Sequence, residues 1–150
     1  MTFERTNYYA ASPDGMKRMA AVYDYVARSD LPSRLLLLVY LRVSQINGCA
    51  YCISLHTKEL LEAGVDMTKL ALVTAWREAG DIFDDRERAA LAWAETVTRV
   101  EETHVSADEY SAAAEMFSES QLVDLTIAIG IMNAYNRMAI SFRARPLSAA

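Results

Sequence analysis

Two cysteines and a histidine lie close together in the sequence and are the residues best able to do chemistry. Cys49 and Cys52 are the only cysteines of the chain, and His56 follows Cys52 by four residues. If a helix begins at Cys49, both sulfurs and the imidazole lie on one helical face. A helix N-terminus stabilises a thiolate, and a histidine one turn away can take its proton. The spacing therefore predicts thiol redox chemistry, with Cys52 as the nucleophile.

Cys49 is then placed to resolve a sulfenic acid formed on Cys52, which would yield an intramolecular disulfide. Two other interpretations of these residues remain. The cysteines could be plain core residues, because free cysteine is among the most buried residue types. They could also form a Cys₂His₂ zinc site with His56 and His104, the only other histidine, although nothing near His104 resembles a second ligand pair.

The composition indicates the kind of scaffold that positions these groups. The chain has 150 residues, of which 53% are hydrophobic and 23% charged, with only five glycines and three prolines. This length suits one domain with a real core, and abundant Ala, Leu, Glu and Arg favour helices. We expect a single all-α domain over residues 1–150, folded as a compact bundle of about six to seven helices.

Capping residues and the helical spacing of apolar residues predict where these helices lie. Asp84 with Glu87 and Ser106 with Glu109 have the spacing of capping boxes. The helices are expected at about 13–29, 34–46, 49–63, 67–79, from the box at Asp84 to about 102, from the box at Ser106 to 117, and from Ser118 or Ser120 to 142.

Charge and hydropathy exclude several classes of function. A formal charge of −5 and a pI near 5.0, with scattered basic residues, argue against nucleic-acid binding. The longest apolar runs, Leu35 to Leu41 and Leu125 to Ala134, fall short of the roughly 20 residues that cross a bilayer. The first residues lack the basic start and apolar stretch of a secretory signal. We therefore expect a cytoplasmic protein with no nucleic-acid or membrane partner.

The motif around the cysteines resembles a known family. The stretch Leu41 to Cys52, which contains Ser-Gln-Ile-Asn-Gly before the first cysteine, and the following His56-Thr57-Lys58 closely resemble the core of the alkylhydroperoxidase AhpD-like proteins in the carboxymuconolactone decarboxylase superfamily. The resemblance extends from about residue 32 to 145. Its softer landmarks are Ala75 to Ala79, Glu87 to Ala92, Asn133 to Arg137, and Ser141 to Arg143.

This resemblance implies an all-helical homo-oligomer, assembled as a dimer, trimer or hexamer. It implies an antioxidant peroxidase that reduces an organic hydroperoxide or hydrogen peroxide without a metal or other cofactor. By position, Cys52 is the peroxidatic cysteine, Cys49 the resolving cysteine and His56 part of the proton relay. A lipoylated or thioredoxin-like dithiol protein would then reduce the disulfide.

One position departs from the family pattern. The family usually has a glutamate twelve residues before the first motif cysteine, where this chain has Leu37. A leucine cannot orient or accept a proton, so general acid–base assistance of about 10²- to 10⁴-fold could be weakened. Glu59 and Glu62 are close in sequence to His56, but we expect both to be solvated charges on the helix surface.

Other residues of these landmarks could have either a functional or a structural role. Tyr135, Asn136 and Arg137 could line the site, although such groups more often cap or bridge helices. Trp76 and Trp93 are expected in the core or at an interface.

Two further functions are compatible with the sequence. A dithiol–disulfide oxidoreductase or redox-sensing protein would keep the cysteine pair and be less damaged by the loss of the glutamate. A lyase of the carboxymuconolactone decarboxylase type is less favoured, since those enzymes typically do not rely on a cysteine pair.

Overall fold

Residues 2–146 are described by the structure, a computed structural model, and they form helices joined by short connections. The helices are α1 (Tyr8–Ala11), α2 (Pro13–Ala27), α3 (Ser33–Asn47), α4 (Ala50–Glu62), α5 (Met67–Leu72), α6 (Asp85–Thr98), α7 (Val100–Thr103), α8 (Ala107–Ala114) and α9 (Glu119–Ser141). Two 3₁₀ turns, Val73–Glu78 and Gly80–Ile82, lie between α5 and α6. The described chain has no strand beyond one bridge between Phe3 and Ala144, so the all-α prediction is confirmed.

Helix α3 lies at the centre of the bundle and packs against α4, α6 and α9. Its residues 38–44 are all buried, which agrees with a sequence that is apolar nearly all round. Each fully buried leucine or valine contributes about 1.5–3 kcal/mol relative to an exposed one. The C-terminal end of α3 leads directly into the cysteine motif. Within residues 2–146, no helix has the length and apolar character that crossing a membrane requires.

Local capping explains why several helices begin where the sequence predicts. Asp84 and Glu87 form a reciprocal capping box at the start of α6, and Ser106 and Glu109 do the same for α8. In each box a side-chain oxygen accepts a hydrogen bond from a backbone N–H that the helix leaves unpaired. Ser118 caps α9, which settles the predicted choice between Ser118 and Ser120.

Three elements differ from the prediction. The expected helix over 67–79 leaves α-helical geometry after Leu72, because tertiary hydrogen bonds from Trp76 and Arg77 to Glu95 of α6 hold the following residues in a 3₁₀ turn. The expected helix up to residue 102 ends at Thr98 and is followed by the separate turn α7. The single-turn α1 was not predicted, since it is too short to show a periodicity.

Candidate active site at the cysteine pair

A left-handed glycine places the cysteine motif at the end of α3. Gly48 has a φ of 69°, and its N–H returns to the Gln45 carbonyl, so it ends the helix without a side-chain clash. Cys49 follows in extended conformation as the N-cap of α4, and Cys52 lies in the first turn. The predicted helix start at Cys49 is thus correct to within one residue.

The two sulfurs lie within contact of each other. Cys49 Sγ and Cys52 Sγ are 2.8 Å apart, and the backbone N–H of Cys52 donates to Cys49 Sγ at 3.4 Å. Both cysteines are free thiols and almost fully buried, with 1% and 4% exposure. A small movement would bring the sulfurs to the roughly 2.05 Å of a disulfide bond. The pair is therefore preorganised to interconvert between dithiol and disulfide.

The pKa values of the two thiols are shifted in opposite directions. A hydrogen bond from the Cys52 thiol lowers the pKa of Cys49 to about 7, helped by the backbone amides of Cys52 and Tyr51 and opposed by burial. The same hydrogen bond, burial and the negative charge on Cys49 raise the pKa of Cys52. In the resting dithiol the thiolate forms on Cys49, whereas the sequence argument placed it on Cys52.

Two asparagine side chains lie near the cysteines. Asn136 of α9 is fully buried, donates from Nδ2 to Ser44 Oγ at 3.0 Å, and lowers the pKa of Cys49 through a side-chain hydrogen bond. Asn47 Nδ2 in turn donates to Asn136 Oδ1 at 2.9 Å. These contacts join the end of α3 to α9. Of the two polar neighbours in the sequence, Arg137 is exposed and only Tyr135 lies at the site.

His56 lies one turn beyond Cys52, and the structure gives it a carboxylate partner. Its Nδ1 donates to Glu59 Oε2 at 2.8 Å, because a carboxylate can only accept. His56 is 2% exposed, whereas the Glu59 side chain is 34% exposed. The expectation of a solvated surface charge is therefore wrong for Glu59, whose spacing of one turn brings it onto the histidine. It is correct for Glu62, which is exposed beside Lys58.

Leu37 is a packing residue in this structure. It is partly buried and packs between the two main hydrophobic clusters of the bundle. The family's glutamate position therefore contributes packing here. The carboxylate that faces His56 comes from the same helix, α4, three residues after the histidine.

Cys52, His56 and Glu59 open onto a cavity of about 210 Å³, which we call the tyrosine cavity. Five of its lining residues are Tyr8, Tyr9, Tyr23, Tyr51 and Tyr135. Burial raises the pKa of the tyrosine hydroxyls, to about 12 for Tyr23 and Tyr135, so they are neutral near pH 7. Aromatic walls with neutral hydroxyls suit a small organic molecule that carries a polar group.

The zinc interpretation needs His104 beside the cysteines, and the structure does not bring them together. His104 is exposed, in a left-handed conformation at the end of α7. Among residues 2–146, no group of three or more His, Cys, Asp or Glu side chains could hold a metal ion.

Sequence reasoning missed several members of the site. The i, i+3 spacing of His56 and Glu59 was a signal that could have found the carboxylate. Ser44 belongs to the motif that carries the family resemblance, but no local signal indicated its contact with Asn136, which is 92 residues away. Tyr8 and Tyr9 reach the cavity only because the N-terminal segment folds back, where Tyr8 packs against Phe142. Trp76 and Trp93 are buried, as expected.

Comparison with known proteins agrees with this architecture. Residues 13–96 match the profile of the carboxymuconolactone decarboxylase family. The uncharacterised protein YdfG of Bacillus subtilis is 34% identical over 97% of this chain and 98% of its own length. The crystal structure of ATU0492 from Agrobacterium tumefaciens, a protein of unknown function, is 37% identical with a TM-score of 0.93 and covers 97% of this chain and 99% of that one.

A more distant structure shows the same fold. The crystal structure of an alkylhydroperoxidase AhpD core, an uncharacterised peroxidase-related protein from Ralstonia eutropha JMP134, has a TM-score of 0.82 at 22% identity. It covers 93% of this chain and 74% of that chain.

Proposed function

Because the chain belongs to the carboxymuconolactone decarboxylase family, we propose that it is a thiol peroxidase that reduces hydroperoxides through Cys49 and Cys52. The suggested antioxidant role of ATU0492 is consistent with this proposal. The observation that carries it is the position of Cys52. Its sulfur lies beside a second thiol at 2.8 Å and faces a cavity that also contains a histidine–carboxylate pair.

The first step oxidises Cys52. The proton shared between the sulfurs moves to Cys49, which frees Cys52 to attack the terminal oxygen of the hydroperoxide. The S–O bond forms as the O–O bond breaks, and the leaving alkoxide takes a proton delivered through His56. Glu59 holds the imidazole by Nδ1 and leaves Nε2 for this transfer. The products are an alcohol and a sulfenic acid on Cys52.

The second step closes the disulfide. The Cys49 sulfur attacks the sulfenic sulfur of Cys52, the S–O bond breaks, and the hydroxyl group and the thiol proton leave as water. The 2.8 Å contact means that no element of the fold has to rearrange. Two electrons from an external thiol reductant then restore the dithiol. The sequence resemblance suggests a lipoylated or thioredoxin-like protein for this role.

Single-turnover oxidation tests the proposal. The reduced protein is mixed with one equivalent of cumene hydroperoxide, quenched with an alkylating agent within seconds, and weighed by intact mass spectrometry. We expect the wild type to lose two alkylatable thiols, Cys49→Ser to accumulate a sulfenic acid, and Cys52→Ser to remain reduced. The protein is not a peroxidase if both wild-type thiols survive the peroxide.

A dithiol–disulfide oxidoreductase is the second candidate, and the acidity of Cys49 favours it. A pKa of about 7 makes this thiol reactive in disulfide exchange, while the raised pKa of Cys52 hinders attack on peroxide. The same experiment separates the two. Thiols that survive cumene hydroperoxide but oxidise rapidly with a small disulfide would establish exchange as the activity.

Assembly and location remain predictions that accompany this function. The family resemblance predicts a homo-oligomer, as a dimer, trimer or hexamer, and the sequence predicts a cytoplasmic protein. Light scattering coupled to size-exclusion chromatography measures the first. A single peak at the monomer mass of 16.7 kDa would contradict it.

A further inference from the structure

The two cysteines face different cavities. Cys52 lines the tyrosine cavity, whereas Cys49 lines a second cavity of about 200 Å³, which we call the arginine cavity. Tyr51 and Ala139 line both and therefore stand between them. His56 belongs only to the tyrosine cavity. The oxidised protein would thus have one cysteine of the disulfide on each cavity.

The two ends of the chain build the rim of the arginine cavity. The Glu4 N–H donates to the Arg143 carbonyl at 3.2 Å, and the Arg145 N–H donates to the Thr2 carbonyl at 2.9 Å. This pairing continues the single bridge between the chain ends. As a result, Arg143 and Arg145 lie beside Cys49 although they are more than 90 residues away in the sequence.

The charge of this cavity is opposite to that of the whole chain. Arg145 Nε pairs with Glu4 Oε1 at 3.3 Å. The exposed Arg143 has no carboxylate within salt-bridge distance among residues 2–146, so one guanidinium in the lining is uncompensated. The chain as a whole carries a formal charge of −5. The arginine cavity is therefore a locally cationic opening in an acidic protein, and it would attract an anionic ligand.

Disulfide exchange also requires a particular direction of attack. The attacking thiolate, the attacked sulfur and the leaving sulfur must lie in one line. Of the two cavities beside the cysteine pair, Cys49 lines the arginine cavity, which is therefore the route by which a thiol would approach it. We propose that external thiols reduce the disulfide by attacking Cys49 from the arginine cavity, and that Arg143 and Arg145 favour small thiols that carry a carboxylate. This inference rests on the dithiol–disulfide cycle of the proposed function, but not on peroxide as the oxidant.

The exchange balances without another reactant. The incoming thiolate forms a bond to Cys49 Sγ, the bond between the cysteines breaks, and Cys52 leaves as a thiolate that takes a proton. A second thiolate attacks the outer sulfur of the mixed disulfide and releases Cys49. One protein disulfide and two thiols thus become one protein dithiol and one small disulfide. The oxidant therefore enters at one sulfur and the reductant at the other.

Reduction kinetics with matched dithiols test the selectivity. The full chain is oxidised with diamide, and its reduction by dihydrolipoate and by dihydrolipoamide is followed at low salt. The two dithiols are identical except that dihydrolipoate carries a carboxylate where dihydrolipoamide carries an amide. We expect dihydrolipoate to react faster by about 3- to 5-fold, a preference that Arg143→Gln removes and Arg143→Lys retains. Salt at 1 M should also remove it.

Arg34→Gln is the matched control. Arg34 is exposed at the first turn of α3, whose C-terminal end leads to Cys49, so about 20 Å of helix separates it from the site. This variant should keep the preference for dihydrolipoate. The proposed selectivity is wrong if both dithiols reduce the wild type equally fast. It is also wrong if Arg34→Gln loses as much of the preference for dihydrolipoate as Arg143→Gln does.

Trapping identifies the sulfur that is attacked. The oxidised protein is mixed with 3-mercaptopropionate, quenched in acid with N-ethylmaleimide, and mapped by tandem mass spectrometry. We expect the mercaptopropionate on Cys49 and the maleimide on Cys52. The reverse pattern would overturn the proposal while leaving the peroxidase function intact. A protein that forms no disulfide with diamide would contradict both.

Discussion

Two polar clusters with buried members lie beside α3, and they differ in how completely their groups are paired. The ion-pair cluster consists of Arg42, Trp76, Arg77 and Glu95, and the thiol cluster consists of Cys49, Cys52, His56 and Glu59. Both border a surface cavity, so burial and location alone do not distinguish them. The distinction lies in which atoms have partners inside the protein.

Every oxygen of the ion-pair cluster is occupied. Glu95 Oε1 accepts from Arg42 Nε at 2.8 Å and from Trp76 Nε1 at 2.9 Å, and Oε2 accepts from Arg77 Nη2 at 2.7 Å. Burial alone would raise the pKa of Glu95, but these hydrogen bonds lower it below its usual value. The carboxylate is thus held ionised, and both of its oxygens already accept hydrogen bonds within the protein. We interpret this cluster as structural.

The thiol cluster is satisfied on one side only. His56 uses Nδ1 for Glu59, while its ring and Cys52 line the tyrosine cavity. The proton between the two sulfurs has only a 2.8 Å contact to cross. Buried polar groups thus indicate a functional site where a nucleophile and a proton carrier both line an open cavity.

The largest effect is expected for the nucleophile. Cys52→Ser should lower the second-order rate of peroxide reduction by at least about 10³-fold, since a hydroxyl at this position stays protonated near pH 7. Its stability should change little, because serine keeps the size of the side chain. The rate is measured by loss of cumene hydroperoxide. An unchanged rate would place the chemistry outside the thiol cluster.

In the ion-pair cluster, the corresponding substitution should affect stability. Glu95→Gln leaves the buried Arg42 without its carboxylate and should lower the free energy of unfolding by about 3 kcal/mol. Urea denaturation measures this loss, with the exposed Glu62→Gln as a control that should change it by less than about 0.5 kcal/mol. If Glu95→Gln is as stable as the control but lowers the peroxidase rate, the structural interpretation is wrong.

A smaller effect concerns the pH dependence of stability. In the folded chain the pKa of Cys49 is lowered from 9.0 to about 7. The folded state therefore releases this proton before the unfolded state does, and stability rises as pH increases from 7 toward 9. Relative to Cys49→Ser, the reduced wild type should gain about 1 kcal/mol between pH 6 and pH 8. If urea denaturation gives the same difference in unfolding free energy between wild type and Cys49→Ser at both pH values, the pKa of Cys49 is not lowered.

Local signals made much of the fold predictable. Capping boxes, such as that of Asp84 and Glu87, depend on residues three apart, and the prediction places them correctly. The motif likewise placed Cys49, Cys52 and His56 on adjacent turns, as the structure shows. Such features need only neighbouring residues and the geometry of one helix.

Features that depend on distant residues could not be predicted. Arg42 and Glu95 are 53 residues apart, and no local pattern indicates that α3 and α6 bring them together. The 3₁₀ turn at Val73–Glu78 follows from the same cluster. The opposite acidity of the two thiols required knowing that Cys49 is the N-cap and lies 2.8 Å from Cys52.

In the proposed mechanism Glu59 orients His56, in place of the glutamate that the family resemblance predicts at the position of Leu37. The most direct measurement is the rate of Cys52 oxidation by cumene hydroperoxide in Glu59→Gln, beside Glu62→Gln from the same helix. We expect Glu59→Gln to react about 10-fold or more slowly with near-normal stability, Glu59→Asp to recover part of the rate, and Glu62→Gln to match the wild type. Equal rates in Glu59→Gln and Glu62→Gln would contradict the claim.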